Sequence, residues 1–401
     1  MIQFNDEQQL LIKNAVYWYN YSPEQVFSYS GGPGTGKSLV LNEIIKCIGL
    51  DLSEVAPMSF TGAASLVMRS KGLYNARTAH SWLYDIIEVN AKDKNGNILM
   101  DNLLGCPLKT TKFIPVEKLP DNIKLIVVDE AYSMPLSMRK IIEKFGIKIL
   151  ACGDADQLPP VGDFPAFLSD PNTFKLTKCM RQYDKKDIIE IANTVKCGKY
   201  LPYGTYQNSS VIDFKDLTKE MLLWADIIIS GTNKTRDRIN GMMRKIKGYT
   251  SNLPQCGEKL VCRNNNWNEY AEVDKDYKLN LCNGLIGTVL NNPDVSSFDG
   301  NTFSLVFSPN LASEVIFNTR ANYHHMITNN HMARTAIKNN RYEQGNMFEY
   351  AYCITSHISQ GSQFHKVIYL EERLHPNIQI PANLVGATRA DQALIYVKNV
   401  K

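Results

Sequence analysis

The apolar pattern changes period twice in the first fifty residues. Leu10, Leu11, Ala15, Val16 and Trp18 recur at helical spacing behind Asn5, which predicts a capped helix over residues 5–20. Residues 25–30 (QVFSYS) alternate and predict a strand. They run into a glycine-rich turn and then KSLVLNEIIKCIG, a helical stretch that stops at Gly49. Two short apolar runs follow, IKLIVVDEA (123–131) and IKILACGD (147–154). Short buried strands alternating with helices predict a parallel α/β sheet.

The rhythm breaks twice. Residues 88–120 contain Asn95-Gly96, a two-residue hairpin signal, and predict a small β insertion. A second α/β set starts near Leu176, with strands in WADIIISGTNK, YAYCITSH and HKVIYLEE. Between them, residues 263–345 are rich in Asn and aromatics and carry short strand-like pieces (LIGTVL, TFSLVFS, SEVIFN), which predict an inserted β module. The expected division is therefore 1–87 with 121–175, an insertion at 88–120, then 176–262 with 346–401, and a second insertion at 263–345. The doubled α/β layout is the only repeat visible.

Composition narrows this little. A chain of 401 residues is long enough for two or three cores, and a net charge of +4 permits a nucleic-acid partner without arguing for one. The nine cysteines show no C-x-x-C, which predicts free thiols in a reducing compartment. The chain has no 18-residue apolar run and opens on the acidic MIQFNDEQQLLI, so neither a membrane span nor export is expected.

The glycine-rich turn is where chemistry enters. GGPGTGKS (31–38) lies between a strand and a helix, the context in which G-x-x-x-x-G-K-[ST] binds phosphate. Backbone N–H groups of Gly32, Pro33's neighbours, Gly34, Thr35 and Gly36 would cradle phosphate oxygens at a helix N-terminus. Lys37 would reach the β- and γ-phosphates and Ser38 would ligate Mg²⁺. Asp129 and Glu130 close a buried strand; alone they suit an acidic helix cap, but beside a phosphate loop they suit a metal ligand and a water-activating base. Gln8 has two readings of equal standing. It completes a capping box with Asn5, or it hydrogen-bonds the adenine edge. In GDADQLPP (153–160), Gln157 is a neutral donor suited to sensing the γ-phosphate, with Pro159 and Pro160 stiffening the chain behind it. His324, His325 and His331 lack partners at ligand spacing and are expected at the surface.

The ordered set GGPGTGKS, DEAY, GDADQLPPV, LTKCMRQ, TSHISQGSQF and GATRADQ resembles superfamily 1 helicases, in the RecD-like and Dda-like branch to which Pif-type helicases are related. The resemblance covers nearly the whole chain. It implies two RecA-like P-loop domains with parallel sheets, ATP and Mg²⁺ in the cleft between them, a strand-separating β-hairpin inserted in the first domain and an SH3-like insertion in the second. It also implies arginine fingers at Arg181 and Arg389, and nucleotide contacts at Gly361 and Gln363. For the nucleic-acid groove it implies Thr61, Thr78 and His80 on the first domain. On the second it implies Thr232, Asn233, Lys234, Thr355, Ser356 and His357. Two positions depart from the family pattern: Gln363 stands where many relatives carry Glu, and Ile358 where Lys or Arg often follows the histidine. The basic stretch 233–248 either steers nucleic acid or forms a solvated helix face. Trp82, Tyr84 and Trp267 either stack on bases or fill the core.

The expected activity is an ATP-dependent helicase translocating 5′ to 3′ on single-stranded DNA and opening forked DNA, without a membrane. A monomer is admitted, in the cytoplasm of a bacterial or phage-infected cell. An RNA helicase of the same fold and a non-translocating P-loop switch are the alternatives, because hydroxyl contacts to the backbone do not distinguish the sugars.

Overall fold

The computed structural model describes residues 3–400 except 33, 91–95, 101–106, 108, 159, 161–163, 168–172, 179–185, 275–276, 329–330 and 340–344. In the first α/β unit, α1 (Asp6–Tyr21) precedes β1 (Val26–Gly31) and α2 (Lys37–Ile48). Then come β2 (Val55–Ser59), α3 (Gly62–Ser70), β3 (Arg77–Thr78) and α4 (Ala79–Leu83). The hairpin strands β4 (Tyr84–Asn90) and β5 (Lys109–Pro115) lead to β6 (Leu125–Val128), α5 (Leu136–Glu143), β7 (Lys148–Gly153) and β8 (Phe174–Leu176). The sheet order is β3-β2-β6-β7-β1-β8, with every pair parallel.

Parallel strands covered on both faces read as apolar runs, and the central β6 (LIVV) and most of β2 and β7 do. Val55, Leu125, Val127, Leu150 and Cys152 pack toward α1 and α2. Their neighbours Ala56, Ile126, Val128, Ile149 and Ala151 pack toward α5 on the other face. On α1 the buried positions are Gln8, Leu11, Ala15 and Trp18, spaced three or four apart. Leu10, expected in that stripe, is half exposed.

The second unit repeats the plan. It contains α6 (Lys186–Lys196), β9 (Gly204–Tyr206), β10 (Ser209–Asp213), α7 (Lys219–Trp224), β11 (Ile227–Ser230) and α8 (Asn233–Ile246). A β module follows with β12 (Lys259–Cys262), β13 (Asn266–Asp274), β14 (Tyr277–Leu281), β15 (Ile286–Val289), β16 (Thr302–Pro309), β17 (Phe317–Asn322), α9 (Tyr323–Ile327), α10 (His331–Asn339) and β18 (Phe348–Tyr350). The chain then returns through β19 (Cys353–Thr355), α11 (Ser356–Ser359), β20 (Phe364–Leu370), α12 (Pro376–Thr388) and β21 (Ala390–Lys398). This sheet runs β19-β11-β20-β21-β10-β9, parallel except at its β9 edge. Five strands follow the order of the first sheet, so β2 corresponds to β11 and β3 to β19; the sixth differs, because β9 precedes β10 and runs antiparallel to it, whereas β8 follows β7 and runs parallel to β1.

Three expectations shift. The module sheet, β17-β16-β15-β12-β18, draws its last two strands from outside 263–345, because β12 and β18 pair with each other across the entry and exit of the insertion. The hairpin pairs Tyr84–Asn90 with Lys109–Pro115, so it starts before residue 88 and its second strand ends before 120; Asn95 of the expected turn lies outside the described residues. Finally, α8 is a solvated face only in part: Lys234, Arg238 and Lys245 are exposed, while Arg236 and Arg244 turn inward. Arg236 is fully buried and ion-paired to Asp237 and Glu349, and Glu349 also meets Arg263 and Arg334. Burial would raise the Glu349 carboxyl, but Arg263, Arg236 and Arg334 outweigh it and hold it below the usual carboxylate range. Arg244 pairs with Glu258, and Arg238 and Lys247 lie over the Phe214 and Tyr352 rings. Arg236 and Arg244 join α8 to the module.

Candidate functional site

The turn after β1 is a phosphate cradle by its backbone. Gly34 and Gly36 have φ of 81° and 85°, a region that glycine enters without strain. Gly36 caps α2 in that conformation and supplies no side-chain bond, leaving the helix N-terminus open. The Lys37 ammonium lies over the loop and donates to the carbonyls of Gly31 and Gly32 at 2.7 and 3.2 Å. Thr35 is buried and donates to the Gly32 carbonyl. Pro33 lies outside the described residues.

Gln8 holds this loop from below. Its carbonyl accepts from the Asn5 N–H, the Asn5 side chain accepts from the Gln8 N–H, and the Gln8 amide donates to the Thr35 carbonyl at 2.9 Å. The capping box is therefore made, and the remaining amide contact goes to the loop; Gln8 is not among the residues lining the main cavity. Next to it, Glu7 accepts from the Thr177 and Lys178 N–H groups, which lead into the segment carrying Arg181. Arg181 itself lies outside the described residues.

A cavity of about 470 Å³ opens over the loop, walled by both α/β units. The first contributes Gly34, Gly36, Lys37, Ser38, Asp129, Glu130 and Gln157; the second contributes Gly361, Gln363, Thr388 and Arg389. Gly32 belongs to an adjoining cavity on the far side of the loop. Asp129 ends β6, and its carboxylate accepts from the Glu130 N–H at 2.9 Å and the Cys152 thiol at 3.2 Å. Glu130 follows at φ 51°, left-handed for a residue with a Cβ. Loss of water, then the Asp129 charge, push its carboxyl above the ordinary glutamate range, while Lys37 and Arg389 pull it back. Asp154 is buried and shifted the same way by burial; one of its oxygens accepts from the Asp156 N–H and the other has no hydrogen bond among the described residues.

Arg389 enters from the C-terminal end of α12. Its guanidinium donates to the carbonyls of Val385 and Ser362 and to the Thr388 hydroxyl, which holds it nearly buried against the cavity. Gln157 is buried at the cavity wall, and the next residue, Leu158, is fully buried among Ala382 and Val385 of α12. The Gln360 amide donates to the Leu158 carbonyl. The turn after β7 thus touches the cavity with one residue and the second unit with the next. Gly361, at φ 77°, brings the second unit against α3: a Cβ there would lie 3.0 Å from that of Ala64.

A second set of groups lies at one edge of each sheet. Thr61 and Thr78 cap α3 and α4 beyond β2 and β3. Thr232 and Thr355 begin α8 and α11 beyond the corresponding β11 and β19. The local bonds repeat as well. The Ser59 hydroxyl donates to the Thr61 carbonyl, and the Ser230 hydroxyl to the Thr232 carbonyl. Thr61 and Thr232 each accept from the N–H three residues on, both at 3.2 Å.

The two edges differ in what already occupies them. Glu372 accepts from the N–H groups of Gly231 and Thr232 and from the hydroxyls of Thr232 and Thr235, at 2.6–2.9 Å. The anion cradle at the start of α8 is therefore satisfied by an internal carboxylate, which the sequence order gave no means of pairing with it. Asn233 is half-buried and Lys234 exposed in the first turn. Thr355 and Ser356 are buried, and Ser356 donates to the Ser230 carbonyl; of that trio His357 alone is exposed. Ile358, partly buried, packs against the core of the second sheet.

His80 stacks on Tyr84 at 5.8 Å and meets Phe60 and Phe113, forming an aromatic group at the foot of the β4–β5 hairpin. Burial lowers the pKa of its imidazole below the usual range. Trp82 donates to the Pro57 carbonyl and joins the core; the Trp267 side chain lies outside the described residues. His325 departs from the surface expectation. It is buried against the Phe348 carbonyl, and burial pulls it to about 4.

A family model described as an AAA domain matches residues 3–216. The chain belongs to this AAA-domain family. Its fold is that of Pif1 helicases. The Candida albicans Pif1 structure covers 100% of this chain, which covers 95% of it, at TM-score 0.52 and 16% identity. A Bacteroides Pif1, in complex with ADP-AlF3 and single-stranded DNA, covers 98% of this chain, with 92% of that chain covered, at TM-score 0.52 and 14% identity. Among curated relatives, the ATP-dependent RecD2 DNA helicase of Deinococcus radiodurans is 30% identical over 185 residues, 44% of this chain. An uncharacterised protein of Acanthamoeba polyphaga mimivirus is 24% identical over 279 residues, 60% of this chain. The matches span 22% and 56% of the lengths of these two relatives. The motif resemblance to the RecD-like and Pif-related helicases is borne out.

Several residues of this AAA-domain site carry no motif signal. Leu158 reads as one more apolar residue, and Glu372 as one acid of an acidic pair. Lys71 lies 33 positions from the loop, yet its ammonium donates to the Ser38 hydroxyl at 3.1 Å. Asp154, just past β7 and three residues before Gln157, lines the adjoining cavity, and that strand-end position is its signal in the sequence.

Proposed function

We propose that this chain is an ATP-dependent DNA helicase that translocates 5′ to 3′ on single-stranded DNA. The observation that carries the reading is the cavity shared by two RecA-like units, with the P-loop and acids on one wall and Arg389 on the other. The similarity to Pif1 structures and to RecD2, and the binding of ADP-AlF3 and single-stranded DNA by the Bacteroides protein, support it.

The donors fit Mg²⁺. Ser38 and Asp129 offer a hydroxyl and a carboxylate on one cavity, and Mg²⁺ at phosphates takes one or two such oxygens, with water and phosphate completing the shell. When bound, the metal offsets phosphate charge and orients the terminal phosphoryl group. Lys37 and the loop N–H groups hold the phosphate chain. Glu130 accepts the proton of the attacking water, which its raised proton affinity favours. Arg389 compensates charge on the transferring group, and Gln157 donates a hydrogen bond to it without adding negative charge. Closure on the nucleotide draws the units together through Leu158 and α12. The edges at Thr61 and Thr78, and at Thr232 and Thr355, then move relative to one another along the strand.

The test is a forked duplex with a 5′ or a 3′ tail, in DNA and in RNA, with ATPase assayed alongside. Unwinding of DNA from the 5′ tail, with ATP turnover stimulated by single strands and lost in Lys37→Ala, is expected. Stimulated turnover without strand displacement would favour a switch ATPase; unwinding of RNA alone would assign the other sugar.

A further inference from the structure

We infer that Lys71 is a second phosphate-binding cation of the nucleotide site, supplied by α3 rather than by the P-loop. The inference rests on the reading of the P-loop as an ATP site.

Lys71 is the residue after α3, and its backbone is pinned from both sides. Its N–H donates to the Met68 carbonyl, and its carbonyl accepts from the Asn42 amide of α2 at 2.7 Å. The side chain is exposed and lies in the wall of the shared cavity, where its ammonium donates to Ser38. The two cavity lysines reach different groups of the loop: Lys37 the Gly31 and Gly32 carbonyls, Lys71 the Ser38 hydroxyl.

That hydroxyl is the one suited to Mg²⁺. A divalent ion at about 2.1 Å from the oxygen and an ammonium at hydrogen-bond distance compete for the same lone pairs and repel one another. With Ser38 holding Mg²⁺, Lys71 would leave the hydroxyl and its ammonium would be free to meet the phosphates in the same cavity. A flexible four-carbon stem on a pinned backbone permits that turn. The far end of α3 is Thr61, about 14 Å away for nine residues at 1.5 Å each. The helix thus joins the strand edge to the phosphate end of the cavity.

The experiment compares wild type, Lys71→Ala, Lys71→Arg and Lys37→Ala. Binding of a non-hydrolysable ATP analogue in Mg²⁺ and of single-stranded DNA are both followed by fluorescence. Lys71→Ala is expected to weaken analogue binding about tenfold, with Lys71→Arg within about threefold of wild type and DNA affinity of the isolated protein within twofold. Analogue affinity unchanged in Lys71→Ala, or DNA affinity falling in place of analogue affinity, overturns the inference. Lys37→Ala separates the two levels: if it too leaves analogue binding intact, the P-loop reading itself fails.

Discussion

Glu130 sits at φ 51° between the Asp129 carboxylate and the Lys37 and Arg389 cations, and its backbone N–H is spent on Asp129. A left-handed conformation at a residue with a Cβ is kept only where the surroundings impose it. Here it follows the magnesium-type acid and turns the next carboxyl into the cavity. Glu130→Gln should keep analogue binding and lower ATP turnover by about 10²–10⁴-fold, measured at saturating ATP. The raised pKa also fixes the sign of a stability effect. The folded chain binds the Glu130 proton more tightly than the unfolded chain, so stability falls as pH rises from the unfolded to the folded value. Glu130→Gln should therefore be more stable than wild type at neutral pH, with the difference vanishing below the ordinary glutamate pKa; thermal melts across that range check it. The adjacency of Asp129 and Glu130 is visible in the chain. The backbone conformation is not, because it comes from packing around the turn. Gln8 is a similar case: its spacing from Asn5 foretells the capping box, but the bond to Thr35 joins residues 27 apart.

Between elements, the turn after β7 was legible as a strand exit but not as a domain contact. Leu158 fills a pocket formed by Ala382 and Val385 on α12, the helix that ends at Arg389. A movement of this turn reaches the arginine through apolar packing, beside the polar contact of Gln157 to the cavity. Leu158→Ala should bind the ATP analogue within twofold of wild type, while stimulation of ATPase by single-stranded DNA falls about tenfold. Leu158→Met should retain most of it, because volume-conserving changes disturb packing least. Equal stimulation in Leu158→Ala would leave the coupling to other contacts. The α8 stretch makes the opposite point. Its basic composition suggests a surface for nucleic acid, yet Arg236 is committed to Glu349, far along the chain, and Arg244 to Glu258. Composition counts charges; only packing shows which are already paired.

Across the molecule, two sheets that share the order of five strands both place capped helix starts at one edge. The strand edge is built mainly from hydroxyls, N–H groups and aromatic rings rather than lysines and arginines. Affinity for single-stranded DNA should then depend weakly on salt. With a contribution of about −0.7 per cation–phosphate contact, a log–log slope shallower than about −2 between 50 and 200 mM salt is expected from anisotropy titrations. A steep slope would point to a basic track elsewhere. The sequence by itself determined the two α/β units, the phosphate loop, the acidic pair and the order of the motifs. These depend on local periodicity and on residue types at short spacing. Tertiary structure alone decided that Lys71 meets Ser38, that Glu372 fills the α8 cradle, that Leu158 enters the second unit, and that β12 and β18 close the inserted module. Each joins residues distant in the chain, and such pairings are selected by the packing of whole elements, which leaves no periodic trace in the sequence.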